Sequence, residues 1–271
     1  MNQNSEVYSR ALHPKIKIRI TRTTKSPIQV ILSSASTTAY TNVITWNKAY
    51  SIFPRQTLVD HKFFPLRSLD DEFGTELSEL SLQGWTARDI IWPDHDKEKV
   101  DHVVGIRRIG DKRSLVIPLD TESVVTPSAS DDVIELTQFK ISERFNSPSR
   151  IGHNHRFVHT AIQNSATKST SLQIQTKTLT SSVLRYDYTT ADNEWYMFAI
   201  ERAQRWAWLE LYKLKQEDRP TQDTMSSPLI SDISITADFE PPQSWDYADD
   251  QMMAWYQMWE KSKTKRTVPG G

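Results

Sequence analysis

The sequence predicts a mainly β protein, a β-sandwich carrying a helical insertion and ending in a helical, tryptophan-rich C-terminal part. Three observations predict it. Lys15-Ile16-Lys17-Ile18-Arg19-Ile20 alternates charge with isoleucine, the period-two pattern of a strand with one apolar face. Short apolar runs bounded by Pro, Ser and Gly recur up to Tyr188, the spacing of an all-β domain. From Asp192 the apolar period becomes helical.

Taken in order, residues 1–14 are polar, end at Pro14 and read as an N-terminal arm. Residues 15–190 read as the sandwich and 191–271 as the helical C-terminal region with a basic tail. Within the sandwich, strands are expected at Lys15–Ile20, Ile28–Leu32 after the break at Ser26-Pro27, and Thr41–Trp46. Leu69, Phe73, Leu77 and Leu80 then recur at helical spacing between Arg67 and Gly84. Ser68 with Asp71 resembles a capping box and Gly84 is a natural stop. Residues 92–102 read as a charged loop. Further strands are expected at Val103–Ile109, after the Gly110-Asp111 turn at Leu115–Leu119, and at Val133–Phe139, Leu172–Leu179 and Ser182–Tyr188. The stretch from Arg150 to Asn164 fits helix or loop.

In the C-terminal region Trp195, Ala199, Ala203, Trp206 and Leu209 share one broad helical face. Asp192 is placed to cap the helix and Pro220 lies beyond its end. Ile230–Phe239 reads as one more strand, stopped by Pro241-Pro242. A last helix carries Ala248, Met252, Trp255 and Trp259 on one face, followed by the basic run Lys261–Arg266.

Composition narrows the function classes. The chain of 271 residues has no cysteine, which excludes disulfides, thiolate metal sites and cysteine nucleophiles. Glycine is scarce, at seven residues, and neither GxGxxG nor GxxxxGK[ST] occurs, so the usual phosphate-cradling loops are missing. No G-x-S-x-G marks a nucleophile elbow. A formal net charge of -1 gives no overall field toward polyanions, so nucleic acid is not an expected partner. No run of about eighteen apolar residues exists, no membrane partner is expected, and the polar N-terminus reads as lacking a secretory signal. A cytoplasmic or intracellular address is the expectation.

Thr21-Arg22-Thr23-Thr24-Lys25-Ser26-Pro27, leading into Val30-Ile31-Leu32 and Thr41-Asn42-Val43-Ile44-Thr45-Trp46-Asn47, resembles the first strands of the immunoglobulin-like sandwich that precedes the catalytic domain in fungal deuterolysin-type metallopeptidases. Val104-Gly105-Ile106-Arg107, Pro127 and Val133-Ile134-Glu135-Leu136 fit later strands of that pattern. The resemblance covers about half the chain and implies a sandwich without the enzyme, because the HExxH motif of that family is missing here. Trp206-Ala207-Trp208-Leu209-Glu210-Leu211 is similar to a helical segment of cypovirus polyhedrins, self-assembling crystal matrix proteins with a β-sandwich core. That similarity implies assembly.

Two groups of residues carry candidate chemistry. His153, His155 and His159 form H-x-H-x3-H, three of the seven histidines in the chain. Three imidazoles with a fourth position open are the catalytic zinc pattern, so a divalent metal is the one cofactor considered. The alternative is a polar loop shared with Arg150 and Arg156, and the nearest acidic residue in sequence is Glu143. Asp94, His95, Asp96, Asp101 and His102 form a second cluster, better read as a solvated loop pairing with Lys97 and Lys99.

The second group is Trp206, Trp208, Trp255 and Trp259. Trp206 and Trp208 stand about 200° apart on a helix and cannot both face inward. Their surplus of apolar surface points to an interface. The preferred expectation is therefore a non-enzymatic structural or interaction protein, a homo-oligomer or higher assembly joined through its aromatic C-terminal region. The alternatives are a metal-dependent enzyme using the three histidines, or a carbohydrate-binding sandwich using exposed tryptophan.

Overall fold

The computed structural model describes residues 5–10, 12–88, 104–122, 125, 131–146, 169–219 and 241–267. The chain divides into two compact units. One comprises Met1–Ile31, Ser130–Thr137 and Thr178–Gly271, the other Leu32–Ala129 and Gln138–Lys177. Its content is mixed α and β. The described strands form small sheets of two or three members, with no barrel or closed sheet among them.

In the first unit, β1 (Ser5–Arg10) pairs antiparallel with β2 (His13–Thr21), with Glu6 opposite Ile20 and Tyr8 opposite Ile18. The expected arm is thus half of a hairpin ribbon. The alternation of Ile18 and Ile20 does make a strand, but its apolar face is not buried: Ile18 is 61% and Ile20 58% exposed.

Helix α1 (Pro27–Ser34) stands where a strand was expected. Proline is pre-organised for a first helical turn, Val30 N–H donates to Ser26 O at 3.2 Å, and Ile28 and Leu32, one turn apart, are both buried. A short apolar run fits a strand or a buried helix equally well by pattern, and the capping and spacing here select the helix. The strand expected at Val133–Phe139 is likewise split. Its first half is the single-turn α3 (Asp132–Glu135), held by Glu135 N→Asp131 O and Leu136 N→Asp132 O. Helix α2 (Asp71–Leu82) belongs to the second unit.

The strand expected at Ser182–Tyr188 is a turn, with Leu184 N donating to Ser181 O, between β11 (Lys177–Leu179) and β12 (Tyr188–Thr190). The N–H groups of Arg185 and Tyr186 are drawn to the Asp249 carboxylate instead of a neighbouring strand. The unit is completed by α4 (Asn193–Lys213) and α5 (Met252–Thr267). Its core is aromatic. Trp195 packs edge-on against Tyr256, with centroids 5.1 Å apart, and against Trp259 at 5.7 Å. Ala199, Ala203, Ala207 and Leu211 continue the buried seam of α4, and Trp245, Ala248, Met252 and Trp255 face it. Small residues along the seam leave room for the rings opposite, which carry most of the apolar burial.

In the second unit β3 (Asn42–Ile44), β4 (Lys48–Ser51) and β8 (Leu115–Pro118) form one antiparallel sheet. A second sheet runs in the order β10 (Ser169–Gln175), β9 (Gln138–Asn146), β7 (Gly105–Arg108). β7 and β8, consecutive in sequence, therefore belong to different sheets. The chain reverses between them at Gly110, whose φ of 74° favours glycine. The buried Arg107 braces that reversal. Its guanidinium donates to Asp111 at 2.6 Å and to Ile52 O at 3.0 Å and lies over the Phe53 ring.

The expected helical insertion is α2. Asp70 rather than Ser68 is its cap, accepting from Phe73 N at 2.8 Å, and Gly84 ends it with φ 86°. Phe73 and Leu80 are buried as the period requires, whereas Leu69 lies before the helix and is exposed. After α2 the chain adds β6 (Thr86–Ala87), parallel to β5 (Lys62–Phe63).

Candidate interaction surface

The outer flank of α4 is positioned by a polar network beneath it. Asp192 caps the helix, accepting from Glu194 N at 2.8 Å and Trp195 N at 3.3 Å. Further along, Glu210 is buried. Its carboxylate accepts from Lys213 Nζ at 2.6 Å and from Asp246 N at 3.2 Å, and Lys213 also reaches Asp246 Oδ2 at 2.9 Å. These hydrogen bonds to Glu210 and Asp246 hold the Lys213 ammonium above its ordinary pKa. The segment around Asp246 is thereby tied to the last turns of α4.

The next anchor is Asp249. Its buried carboxylate accepts from Arg185 N at 2.9 Å, Tyr186 N at 3.3 Å and Tyr188 Oη at 3.2 Å. Burial, followed by the Asp249 charge and hydrogen bond, pushes the Tyr188 phenol far above its ordinary pKa.

Ala207 lies on the buried seam, so Trp206 and Trp208 fall about 100° to either side of it, and both are half-buried. Trp206 turns toward α5. It packs edge-on against Trp255, 6.4 Å between centroids, and donates from Nε1 to Asp246 O at 3.0 Å. Trp208 lies at the other edge of the core cluster and stacks on Tyr212, with centroids 5.9 Å apart and planes 28° from parallel. Arg219 holds the far end. Its guanidinium lies 4.9 Å from the Tyr212 centroid and donates to Leu214 O and Tyr212 O.

Of the four tryptophans read as an interface, Trp255 and Trp259 are 8% and 6% exposed and belong to the core. They are covered by this chain's own rings, because the α4 seam of alanines accepts them. The surface that stays open is Leu209, 65% exposed, and Tyr212, 66% exposed, beside Trp208. Leu209 was expected on the buried face. It lies about 200° from Ala207, beyond the edge of the seam. Tyr212, one turn after Trp208, could have been found by the four-residue spacing that lets helical side chains stack. Glu210, Asp246 and Asp249 belong to no motif. The basic run Lys261–Arg266 is not a free tail: it continues α5, and Lys263 pairs with Asp192 at 2.9 Å.

His153, His155 and His159 lie outside the described residues, as do Asp94, His95, Asp96, Asp101 and His102 and the strand expected at Ile230–Phe239. Among the described residues no group of three or more His, Cys, Asp or Glu side chains is placed to hold a metal ion, and no described helix is long and apolar enough to cross a membrane. No family model, curated protein or solved structure matches the chain.

Proposed function

We propose that the chain is a non-enzymatic interaction protein that self-associates through the outer flank of α4. The observation that carries this reading is the exposed pair Leu209 and Tyr212, of which Tyr212 is held between Trp208 and Arg219. Exposed single apolar residues are ordinary on a protein surface. A stacked aromatic pair fixed by a guanidinium differs, because its side chains lose little further freedom on binding, and Trp, Tyr and Arg are the residues enriched at binding hot spots. The buried Glu210 carboxylate, with Lys213 and Asp246 bound to it from the surface, supports the same turns of the helix.

The test is the mass of the full chain by light scattering across a concentration series, for the wild type and for a Leu209→Ser, Tyr212→Ser double variant. Association that grows with concentration in the wild type and weakens tenfold or more in the variant supports the reading. A wild-type chain that stays monomeric at high concentration overturns it.

A further inference from the structure

The outer flank of α4 carries a pattern complementary to its own reverse. Met197, Glu201, Arg205 and Leu209 follow one another at intervals of four residues, and all four are exposed. Each step turns the helix by only about 40°, so the four side chains form one ridge, roughly 18 Å long. An apolar residue stands at each end, and opposite charges stand one turn apart in the middle. Trp208 and Tyr212, stacked on each other, belong to the neighbouring ridge, and a groove runs between the two.

The two central charges are not used within the described fold. Glutamate four residues before arginine is the favoured order for an ion pair along a helix. Yet among the described residues the Glu201 and Arg205 side chains form no ion pair or hydrogen bond, with each other or with any third group. Arg202, the cation between them, is held elsewhere. Its guanidinium lies 3.4 Å from the Phe198 ring centroid and donates to Phe198 O at 3.0 Å.

Resting on the self-association through this flank, we propose that two copies cross their α4 helices antiparallel, with Glu201 of each copy facing Arg205 of the other and Met197 facing Leu209. Ala203 is equidistant in sequence from Glu201 and Arg205, and from Met197 and Leu209. A twofold axis at its level therefore creates all of these contacts at once, each of them twice. Ridges of this four-residue kind pack into one another's grooves at about −50°, and Trp208 and Tyr212 wall the groove that receives the partner's ridge. A parallel crossing instead sets Glu201 beside Glu201 and Arg205 beside Arg205, and like charges reject it. The same patch is used by both copies, so the assembly closes at two.

Charge swapping tests this register separately from association itself. Full-length Glu201→Arg protein and full-length Arg205→Glu protein each bring like charges together between copies, and each should associate at least tenfold more weakly than wild type by light scattering. Mixed in equal amounts the two are complementary again at both contacts. The mixture should recover to within about threefold of wild type and reach twice the monomer mass, which also shows that both variants are folded. The cysteine-free chain allows a second measurement. Met197→Cys protein mixed with Leu209→Cys protein should form a mixed disulfide dimer at least tenfold faster than Leu209→Cys protein forms one with itself. Single charge variants that associate as tightly as wild type, or a mixture no tighter than its components, overturn the antiparallel crossing and leave self-association through Leu209 and Tyr212 standing. So does a wild-type mass that climbs past two copies. A wild-type chain that is monomeric at high concentration overturns both.

Discussion

Lys263, near the end of α5, places its ammonium 2.9 Å from Oδ2 of Asp192, the residue that caps the start of α4. One carboxylate thus ends a helix at one oxygen and ties a second helix down at the other. The Lys263 ammonium also lies 4.2 Å from the Trp259 ring centroid, over the edge of the aromatic core. Asp192→Ala should cost about 1–2 kcal/mol through the lost cap. Lys263→Met should cost less than about 1 kcal/mol, because that side chain is partly in water and exposed pairs are weak. Urea unfolding of the two variants checks the order. A larger loss for Lys263→Met would show that the ion pair, not the cap, is the stabilising contact.

Asp249 and Tyr188 predict a pH dependence. The phenol is buried beside a carboxylate and keeps its proton well above the ordinary tyrosine range. In the unfolded chain it ionises near pH 10. Above that pH the unfolded state gives up a proton that the native state retains, so stability falls as pH rises. Tyr188 contributes up to about 1.4 kcal/mol per pH unit to that fall. Below pH 10 both states hold the proton and the contribution is flat. Tyr188→Phe should therefore flatten the alkaline limb of the stability curve relative to wild type. An unchanged slope from pH 10 to 11 would contradict the assignment. Asp249→Ala, which strands two backbone donors and the phenol, should cost about 3 kcal/mol at neutral pH.

Arg107 and Asp111 predict the opposite limb. Burial pushes the Asp111 carboxyl up, but the Arg107 hydrogen bond and charge, with Arg113 N and Ser114 Oγ, outweigh it and bring the group below its usual range. A carboxyl depressed in the folded state contributes stability above its unfolded value, near pH 4. That contribution is lost as pH falls further. Arg107→Ala removes one half of a buried pair and should cost about 3–5 kcal/mol. Arg107→Lys keeps the charge but not the fork that reaches both Asp111 oxygens and Ile52 O, and should recover only part. Guanidinium titrations at pH 7 and pH 3 measure both effects.

What the sequence discloses depends on whether a signal is local. α4 is legible in its cap and its period, which lie within one segment, although Leu209, expected on the buried face, is exposed. α2 is legible apart from its cap, since Ser68 and Asp70 are both suitable residues two positions apart. The ribbon shows the limit of periodicity. Alternation at Lys15–Ile20 identifies a strand, but nothing local says that no second layer covers Ile18 and Ile20. Ile28–Leu32 fails for a related reason: five apolar-rich residues have too little length to separate a buried strand from two turns of helix. Ser182–Tyr188 is decided by Asp249, more than sixty residues away in sequence. The number of tryptophans and the roughly 200° between Trp206 and Trp208 do not disclose the alanine seam of α4, against which Trp255 and Trp259 fit inside.

The flank of α4 separates stability from association. Trp255→Ala removes a ring from the core and should cost about 3–5 kcal/mol, lowering stability at every protein concentration. Leu209→Ser removes a side chain that is two-thirds in water and should shift stability by no more than about 0.5 kcal/mol, and Tyr212→Ser, which also ends the stack on Trp208, by about 0.5–1.5 kcal/mol. If these side chains meet another copy, the same pair should still weaken association by tenfold or more, since a well-placed aromatic at an interface carries more than about 1 kcal/mol. Trp208→Ala lies between the two cases. It deletes the stack on Tyr212, about 0.5–1.5 kcal/mol, and frees the Tyr212 ring, so it should weaken both quantities together. Thermal unfolding and light scattering on the same samples resolve the three classes. Loss of association only in variants that also lose stability would mean that the flank is part of the fold and not a contact surface.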